Sequence, residues 1–136
     1  MDEINTISSQ TEESKADVTE TEDSTATAFV VEDPQMKGSV VMYTVKGADA
    51  EGEFTIMRRF NDFVALRTSL ITSWPGCYIP FLPEKTMGKS MSKKEIDERR
   101  ELLQRFLREL AAFDFIINSA EFKIFSRNQG ECAKAY

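Results

Sequence analysis

The sequence predicts an α+β fold in which a three-stranded antiparallel β-meander packs against a helical subdomain. Three observations support this prediction. Between residues 28 and 59, stretches rich in β-branched and aromatic residues alternate with short polar or glycine-containing segments, as in consecutive strands. From residue 60 onward, apolar residues recur at helical spacing. A long proline-rich loop, residues 75–92, separates the first two predicted helices, and strands followed by helices indicate the α+β class.

Three strands are predicted, and each is followed or preceded by residues that favour a turn. They cover residues 28–31, 39–46 and 53–59, with turn signals at Asp33-Pro34, at Gly38 and in the glycine-bracketed polar segment 47–52. Because the connections are short, neighbouring strands are expected to pair antiparallel. Side chains alternate between the two faces of a strand, so Phe54 and Ile56 share one face of the third strand and Arg59 lies on the other.

Three helices are predicted after the strands. The first covers roughly residues 60–74 and is stopped by a Pro-Gly pair. The second begins at Ser92, because Ser92 and Glu95 form a capping box, and it continues to roughly residue 113. The third covers residues 120–127 and is capped by Ser119. The residues expected to be buried on the last two helices are Leu103, Phe106, Leu107, Leu110, Phe122 and Phe125.

The chain divides into an acidic tail and one domain. The first 33 of its 136 residues carry ten acidic residues and one basic residue, whereas the others carry sixteen basic and thirteen acidic residues. Residues 1–27 are expected to be disordered, because they cannot bury enough apolar surface to offset the entropy lost on ordering. Residues 28–128 should form a single domain, and residues 129–136 a fraying C-terminal end.

The composition argues against several classes of function. The sequence contains no histidine, which excludes imidazole-based triads and zinc sites, and Cys77 and Cys132 lie in no metal-ligand spacing. The sequence therefore predicts no metal and no cofactor, and without evident paired carboxylates or a phosphate-binding glycine loop it predicts no enzyme. No apolar run approaches the roughly 18 residues that span a bilayer. The small positive excess of the domain is too low for nucleic-acid binding.

Basic and aromatic residues at separate places along the chain suggest an anion site. Arg58 and Arg59 end the third strand, and Phe60 opens the first helix. Guanidinium groups fork onto phosphate oxygens, and an aromatic face can pack against the C–H surface of a phosphorylated ring. Lys85 in the long loop and Arg99 on the core-facing line of the second helix complete a site built from four elements. In the alternative, these residues are a solvated strand end, core phenylalanines and an arginine that extends to solvent.

Three segments resemble the motifs of phox-homology (PX) domains, as found in sorting nexins. Residues 59–63, Arg-Phe-Asn-Asp-Phe, resemble the family's Arg-(Tyr/Phe)-x-x-Phe motif. Residues 79–85, Ile-Pro-Phe-Leu-Pro-Glu-Lys, resemble its proline-rich loop ending in lysine. Residues 99–106 are similar to its Arg-x-x-x-Leu-x-x-Phe helix. The resemblance covers about residues 28–128, and the order of the three motifs makes it specific.

The resemblance implies a cytoplasmic, non-enzymatic domain that binds phosphoinositide headgroups and recruits proteins to the cytosolic face of endosomal membranes. The usual ligand is phosphatidylinositol 3-phosphate. By position, Arg59 would contact the 3-phosphate, Phe60 would pack under the inositol ring, Lys85 would contact the 1-phosphate and Arg99 the 4- and 5-hydroxyls. Arg58 is a further candidate for the site, with a structural salt bridge as the alternative. Phe60 stands where tyrosine is commoner, which keeps the stacking face and loses a hydroxyl.

The long loop is also a candidate for membrane contact. The residues in question are Phe81, Leu82, Met87, Lys89 and Met91. Apolar side chains can enter the membrane interface, and each nearby cation gains roughly 1 kcal/mol from an anionic leaflet. In the alternative, the methionines pack back onto the domain.

Two kinds of partner are expected from this sequence. One is a phosphoinositide-containing membrane, which the domain would bind peripherally, and the other is a protein of a trafficking complex. A second hypothesis is a PX-like protein-interaction module with weak or no lipid binding, in which the groove or the long loop binds a partner protein instead. Binding of a short-chain headgroup separates the two hypotheses.

Overall fold

The computed structural model describes residues 29–85 and 91–136 and confirms the predicted α+β fold. Strands β1 (Val30–Lys37), β2 (Val40–Asp49) and β3 (Gly52–Arg59) form one sheet in the order β1-β2-β3, with both pairings antiparallel. Four helices follow, α1 (Phe60–Ser73), α2 (Lys93–Leu110), α3 (Asp114–Ile117) and α4 (Ala120–Arg127), and then a 3₁₀ turn, Cys132–Lys134. The predicted acidic tail, residues 1–27, lies outside the described residues.

The first strand is longer than predicted and continues past the Asp33-Pro34 pair to Lys37. A β-bulge accommodates that pair, because the register between β1 and β2 shifts between Glu32 and Gln35. Within the bulge, Asp33 adopts a positive φ of 53°. β1 is an edge strand, so the missing N–H of the proline does not interrupt the sheet.

The segment 47–52, predicted as a polar loop, is mostly strand. Gly47 pairs with Phe54 in the ladder between β2 and β3, and only two residues remain for the turn between these strands. A Cβ atom at Gly47 would lie 2.7 Å from the ring of Phe29 and 2.9 Å from the ring of Phe54. Glycine is therefore required at this position for the close approach of two aromatic rings rather than for a loop conformation.

The core lies between the sheet and the helices and is rich in aromatic rings. The six residues predicted to be buried on the last two main helices are all buried. The rings of Phe29, Phe54 and Phe122 contact one another edge-on, with centroid distances between 6.0 and 6.3 Å. Phe63 of α1 lies edge-on to Phe125 of α4 at 5.0 Å. These contacts join the sheet, α1 and α4 into one core.

The predicted helix caps are present. The backbone N–H of Glu95 donates to Ser92 Oγ at 3.1 Å, and the backbone N–H of Ser92 donates to Glu95 Oε1 at 2.8 Å. Ser119 caps α4 by accepting from the backbone N–H of Phe122 at 3.2 Å. The second main helix ends at Leu110, before the predicted end near residue 113, because the chain turns there into the short helix α3.

The C-terminal segment is packed against the domain, which corrects the prediction that residues 129–136 fray. Cys132 is fully buried, and its backbone N–H and its thiol both donate to Asp62 Oδ1, at 3.2 and 3.3 Å. Burial raises the pKa of the Cys132 thiol to about 12, so the sulfur stays protonated and acts as a donor. The hydroxyl of Tyr136 donates to the carbonyl oxygen of Glu121 at 2.8 Å. These bonds hold the end of the chain against α1 and α4.

Candidate functional site

One cleft brings together four of the side chains that the sequence analysis singled out. Arg59 from the end of β3, Phe60 from the start of α1, Lys85 from the long loop and Arg99 from α2 all line it. The cleft has a volume of about 320 Å³. Four separate elements therefore converge on one place, as the predicted anion site requires.

The lining of this cleft is cationic. Arg59, Lys85 and Arg99 each carry a positive charge, and the other described residues of the lining are uncharged. Charges of one sign in a cleft concentrate the electric field and attract a ligand of opposite sign. The cleft is therefore suited to an anion, and the aromatic ring of Phe60 adds a flat apolar surface beside the charges.

Arg99 is the most buried cation of the cleft. Its Nη2 donates to the carbonyl oxygen of Glu84 at 2.6 Å, and its guanidinium carbon lies 4.2 Å from the ring centroid of Phe60. Burial lowers the pKa of Arg99 from its ordinary value, since desolvation disfavours the charged form. The bond to Glu84 fixes the backbone next to Lys85. Arg99 therefore joins the helix, the aromatic ring and the lysine-bearing loop.

The backbone of Arg59 is held from behind by Asp62. Arg59 occupies the N-cap position of α1 in an extended conformation, and its backbone N–H donates to Asp62 Oδ2 at 3.0 Å. Asp62 is buried, and its other carboxylate oxygen accepts the bonds from Cys132 described above. The side chain of Arg59 is partly exposed and lines the cleft. The strand end that carries this guanidinium is thus tied to the C-terminal segment.

Arg58 is not among the residues that line the cleft, which corrects its candidacy for the site. It is paired with Tyr43 across the sheet, whereas Arg59 is paired with Met42, so the two arginines face opposite sides of the sheet. The buried Arg58 guanidinium donates to four main-chain carbonyl oxygens near the end of α4, those of Ile124 at 3.4 Å, Phe125 at 2.8 Å, Asn128 at 2.5 Å and Gly130 at 2.9 Å. Since a helix C-terminus presents unpaired carbonyls, Arg58 is a structural cap.

The predicted membrane-contact residues of the long loop differ in how far they are buried. Met87 and Lys89 lie outside the described residues. Leu82 is partly buried and packs against the core, and Met91 is partly buried and lines the cleft. For these two residues the prediction of exposed membrane contacts needs correction, because their side chains are already engaged by the domain.

Phe81 is exposed as predicted and belongs to an aromatic pair. Its side chain is 75% exposed, that of Tyr78 is 66% exposed, and their rings meet edge-on at 6.3 Å. Arg67 of α1 supports the pair, with its guanidinium carbon 5.1 Å from the Phe81 ring centroid and its Nε donating to the carbonyl oxygen of Pro80 at 2.7 Å. Tyr78 is not among the predicted contact residues, although its place in the proline-rich loop, three residues before Phe81, was a signal.

The described residues provide charge, hydrogen bonds and stacking. Among residues 29–85 and 91–136, no three Cys, Asp or Glu side chains come together as a group that could hold a metal ion. In the same two ranges, no helix combines the length and the apolar character needed to cross a bilayer. The cleft can hold an anion by its cations and a ring by its aromatic face.

Comparison with known proteins identifies the family. Residues 47–129 match the family model of the PX domain. The chain belongs to the PX domain family. The X-ray structure of a designed CISK-PX domain superimposes on this PX domain with a TM-score of 0.64 and 22% identity, covering 73% of this chain and 97% of that one. This likeness confirms the fold, and the family match confirms the resemblance seen in the three motifs.

Sorting nexins are among the relatives of this PX domain. Sorting nexin 2B of Arabidopsis thaliana is 42% identical over 82 residues, which cover 58% of this chain and 14% of that protein. Sorting nexin-7 of Mus musculus is 33% identical over 101 residues, which cover 71% of this chain and 26% of that protein. The vacuolar protein sorting-associated protein vps5 of Schizosaccharomyces pombe is 37% identical over 71 residues, 52% of this chain and 12% of that protein. The chain spans about a quarter or less of the length of these relatives.

Proposed function

We propose that this PX domain is a phosphoinositide-binding module that recruits a sorting nexin-like protein to membranes and has no enzymatic activity. Its preferred ligand is phosphatidylinositol 3-phosphate, and its membrane is the cytosolic face of endosomes. The observation that carries the proposal is the convergence of Arg59, Phe60, Lys85 and Arg99 in one cleft whose described lining has no carboxylate. Membership of the PX family and similarity to sorting nexins support it.

Each of the four residues has its own part in this proposal. Arg59 holds the 3-phosphate, because a guanidinium can form two parallel hydrogen bonds with phosphate oxygens. Lys85 meets the 1-phosphate as a compact point charge at the end of the proline-rich loop. Arg99 bonds to the 4- and 5-hydroxyls, and Phe60 supports the inositol ring. Since Arg99 rests against the Phe60 ring, the cation and the stacking surface are adjacent parts of one site.

The proposal is tested by titrating the chain with a soluble short-chain phosphatidylinositol 3-phosphate and following heat and amide chemical shifts. We expect saturable binding, shifts at cleft residues and weaker binding at high salt, because the contacts are between charges. Phosphatidylinositol without the 3-phosphate should bind much more weakly. Absence of saturable binding to every phosphoinositide tested would contradict the proposal and favour the protein-interaction module.

We further propose that the Tyr78–Phe81 pair enters the membrane interface. The double variant Tyr78→Ser and Phe81→Ser should keep its affinity for the soluble headgroup, because neither residue lines the cleft. Its affinity for liposomes that contain phosphatidylinositol 3-phosphate should fall by roughly tenfold or more, since two apolar side chains no longer enter the interface. Isothermal titration and liposome sedimentation measure the two quantities separately.

A second exposed aromatic pair provides a matched control. Phe113 directly precedes α3 and Phe115 lies within it; they are 42% and 44% exposed, and their ring centroids lie 5.9 Å apart. Phe113→Ser with Phe115→Ser should leave liposome binding unchanged. Equal losses from the two double variants would show that general surface hydrophobicity is responsible and would contradict a membrane role specific to the loop.

A further inference from the structure

Three aromatic side chains form a surface at the end of α1 that is farthest from the cleft. The ring centroid of Trp74 lies 5.0 Å from that of Phe115, which in turn lies 5.9 Å from that of Phe113. Phe113 and Phe115 are exposed, and Trp74 is partly buried. Ile71, one helical turn before Trp74, is exposed as well. Adjacent exposed apolar side chains of this kind mark an interaction site.

A groove between α1 and α4 adjoins the aromatic rings. It has a volume of about 620 Å³ and is lined mainly by small side chains. Ser73 and Glu121 belong to this lining, and the hydroxyl of Ser73 donates to Glu121 Oε2 at 2.7 Å. Since Ser73 directly precedes Trp74 in the chain, the groove continues from the rings along the two helices. A partner would therefore find a concave surface next to flat aromatic faces.

The charges at this surface are negative. Asp114 follows Phe113 directly in the chain, is exposed and forms no ion pair with any residue in the ranges 29–85 and 91–136. The hydrogen bond from Ser73 holds the pKa of the Glu121 carboxyl below its ordinary value, so this group is charged at neutral pH. The described lining of the groove includes no lysine or arginine. The carbonyl end of α1, whose last turn has no basic residue, adds partial negative charge.

The sign of these charges distinguishes the surface from the Tyr78–Phe81 pair. Arg67 lies against the Phe81 ring, and an anionic membrane attracts such a cation. The same membrane repels Asp114 and Glu121. Carboxylates and aromatic faces together attract lysine and arginine, through ion pairs and cation–π contacts. The chemistry of the surface therefore favours a basic protein segment over a membrane.

We propose that Trp74, Phe113 and Phe115, with the adjoining groove, form a docking surface for a segment of another protein that carries basic and large apolar side chains. The apolar side chains pack on the rings and in the groove, and the basic ones pair with Asp114 and Glu121. α1 begins at the cleft and its 14 residues span about 20 Å, so the docking surface lies at the opposite end of the helix. The partner and an anion in the cleft can therefore be bound at the same time.

The test is a selection of peptides from a random library displayed on phage, with the full chain as the target. Counter-selection against the double variant Phe113→Ser and Phe115→Ser removes peptides that bind elsewhere, including any that bind the acidic residues 1–27. We expect the retained peptides to combine lysine or arginine with large apolar residues. In isothermal titration they should bind the double variant roughly tenfold or more weakly than the wild type, because buried aromatic side chains dominate the affinity of interfaces.

A second variant tests the charges separately. Asp114→Asn with Glu121→Gln keeps the rings and the shape of the surface. Its affinity for the retained peptides should fall roughly 3- to 10-fold at low salt, and the difference should shrink as salt screens the charges. If circular dichroism shows that the serine variant is unfolded, this second variant replaces it in the counter-selection. Tyr78→Ser with Phe81→Ser is the matched control and should bind the peptides like the wild type.

Three outcomes would overturn the inference. They are the loss of every peptide in the counter-selection, retained peptides without basic residues, and displacement of the peptides by soluble phosphatidylinositol 3-phosphate, which would place them in the cleft. Simultaneous binding of peptide and headgroup would support it. If the chain binds no phosphoinositide, the proposed function fails and the docking surface is unaffected, because the two sites lie at opposite ends of α1.

Discussion

Replacement of Arg58 by methionine should destabilise the PX domain by about 3–5 kcal/mol, a large part of the 5–15 kcal/mol typical of a folded domain. The guanidinium of Arg58 is buried and donates to the carbonyl oxygens of Phe125, Asn128 and Gly130. A methionine side chain fills similar space but leaves these carbonyls without their donor, and each buried unpaired group costs about 1–3 kcal/mol. The melting temperature should fall by more than about 10 °C, measured by circular dichroism.

Two further variants separate charge from geometry in this prediction. Arg58→Lys keeps the positive charge but loses the planar fork of donors, so its stability should lie between those of the wild type and Arg58→Met. Arg105→Met changes an exposed arginine of α2 and should shift stability by no more than about 0.5 kcal/mol. Melting of Arg58→Met at the wild-type temperature would show that the carbonyl network does not stabilise the fold.

Replacement of the adjacent Arg59 by glutamine should have the opposite effect, a loss of ligand affinity with the stability preserved. A hydrogen bond to a charged group contributes about 1.5–3 kcal/mol, so affinity for soluble phosphatidylinositol 3-phosphate should fall roughly 10- to 100-fold. The fold should survive because the side chain is partly exposed and lines the cleft, while its backbone bond to Asp62 is retained. Isothermal titration at a temperature well below the melting transition measures the affinity.

Arg105→Gln is the matched control for Arg59→Gln. It removes the same charge from α2 at an exposed position that is not among the lining residues of the cleft. Its affinity should therefore stay close to that of the wild type, with any small loss disappearing as salt screens the long-range charge effect. Equal losses in the two variants would indicate that net charge rather than a specific phosphate contact governs binding, and a folded Arg59→Gln with full affinity would remove Arg59 from the site.

Arg58 and Arg59 differ in role because of the hydrogen bonds that this part of the chain makes with the C-terminal segment. Arg58 bonds to the chain just after α4, and Asp62 bonds both to the backbone of Arg59 and to that of Cys132. The strand end, the first turn of α1 and the C-terminal segment therefore form one hydrogen-bonded unit. This unit holds the backbone of Arg59 in place while its side chain faces the cleft.

The alternation of side chains along β3 already contained the signal for Arg58. Phe54 and Ile56 share a face, and the same period of two places Arg58 with them and Arg59 opposite. Arg58 nevertheless remained a candidate for the site, because the alternation assigns a side chain to a face but does not identify the group that lies against it. Burial of an arginine requires such a partner.

The first residues of α1, α2 and α4 and most of the core could be predicted, because they depend on residues that are close together in the sequence. The capping box of Ser92 and Glu95 involves residues three positions apart, and the buried stripe of α2 follows from helical spacing alone. Gly47 could not be assigned in this way. Its need for glycine comes from the ring of Phe29, which belongs to another strand region and approaches it only in the folded sheet.

By itself, the sequence determined the order of strands and helices, the PX motifs and the residue types of the cleft, because these depend on side-chain chemistry and on spacing along the chain. Only the tertiary structure decided that Arg58 caps α4 and that Cys132 is buried. The bonds of Arg58 to Phe125 and of Cys132 to Asp62 join residues 67 and 70 positions apart. Burial and hydrogen bonding between residues so far apart in the sequence depend on which surfaces pack together in the folded domain. No local sequence pattern specifies that packing.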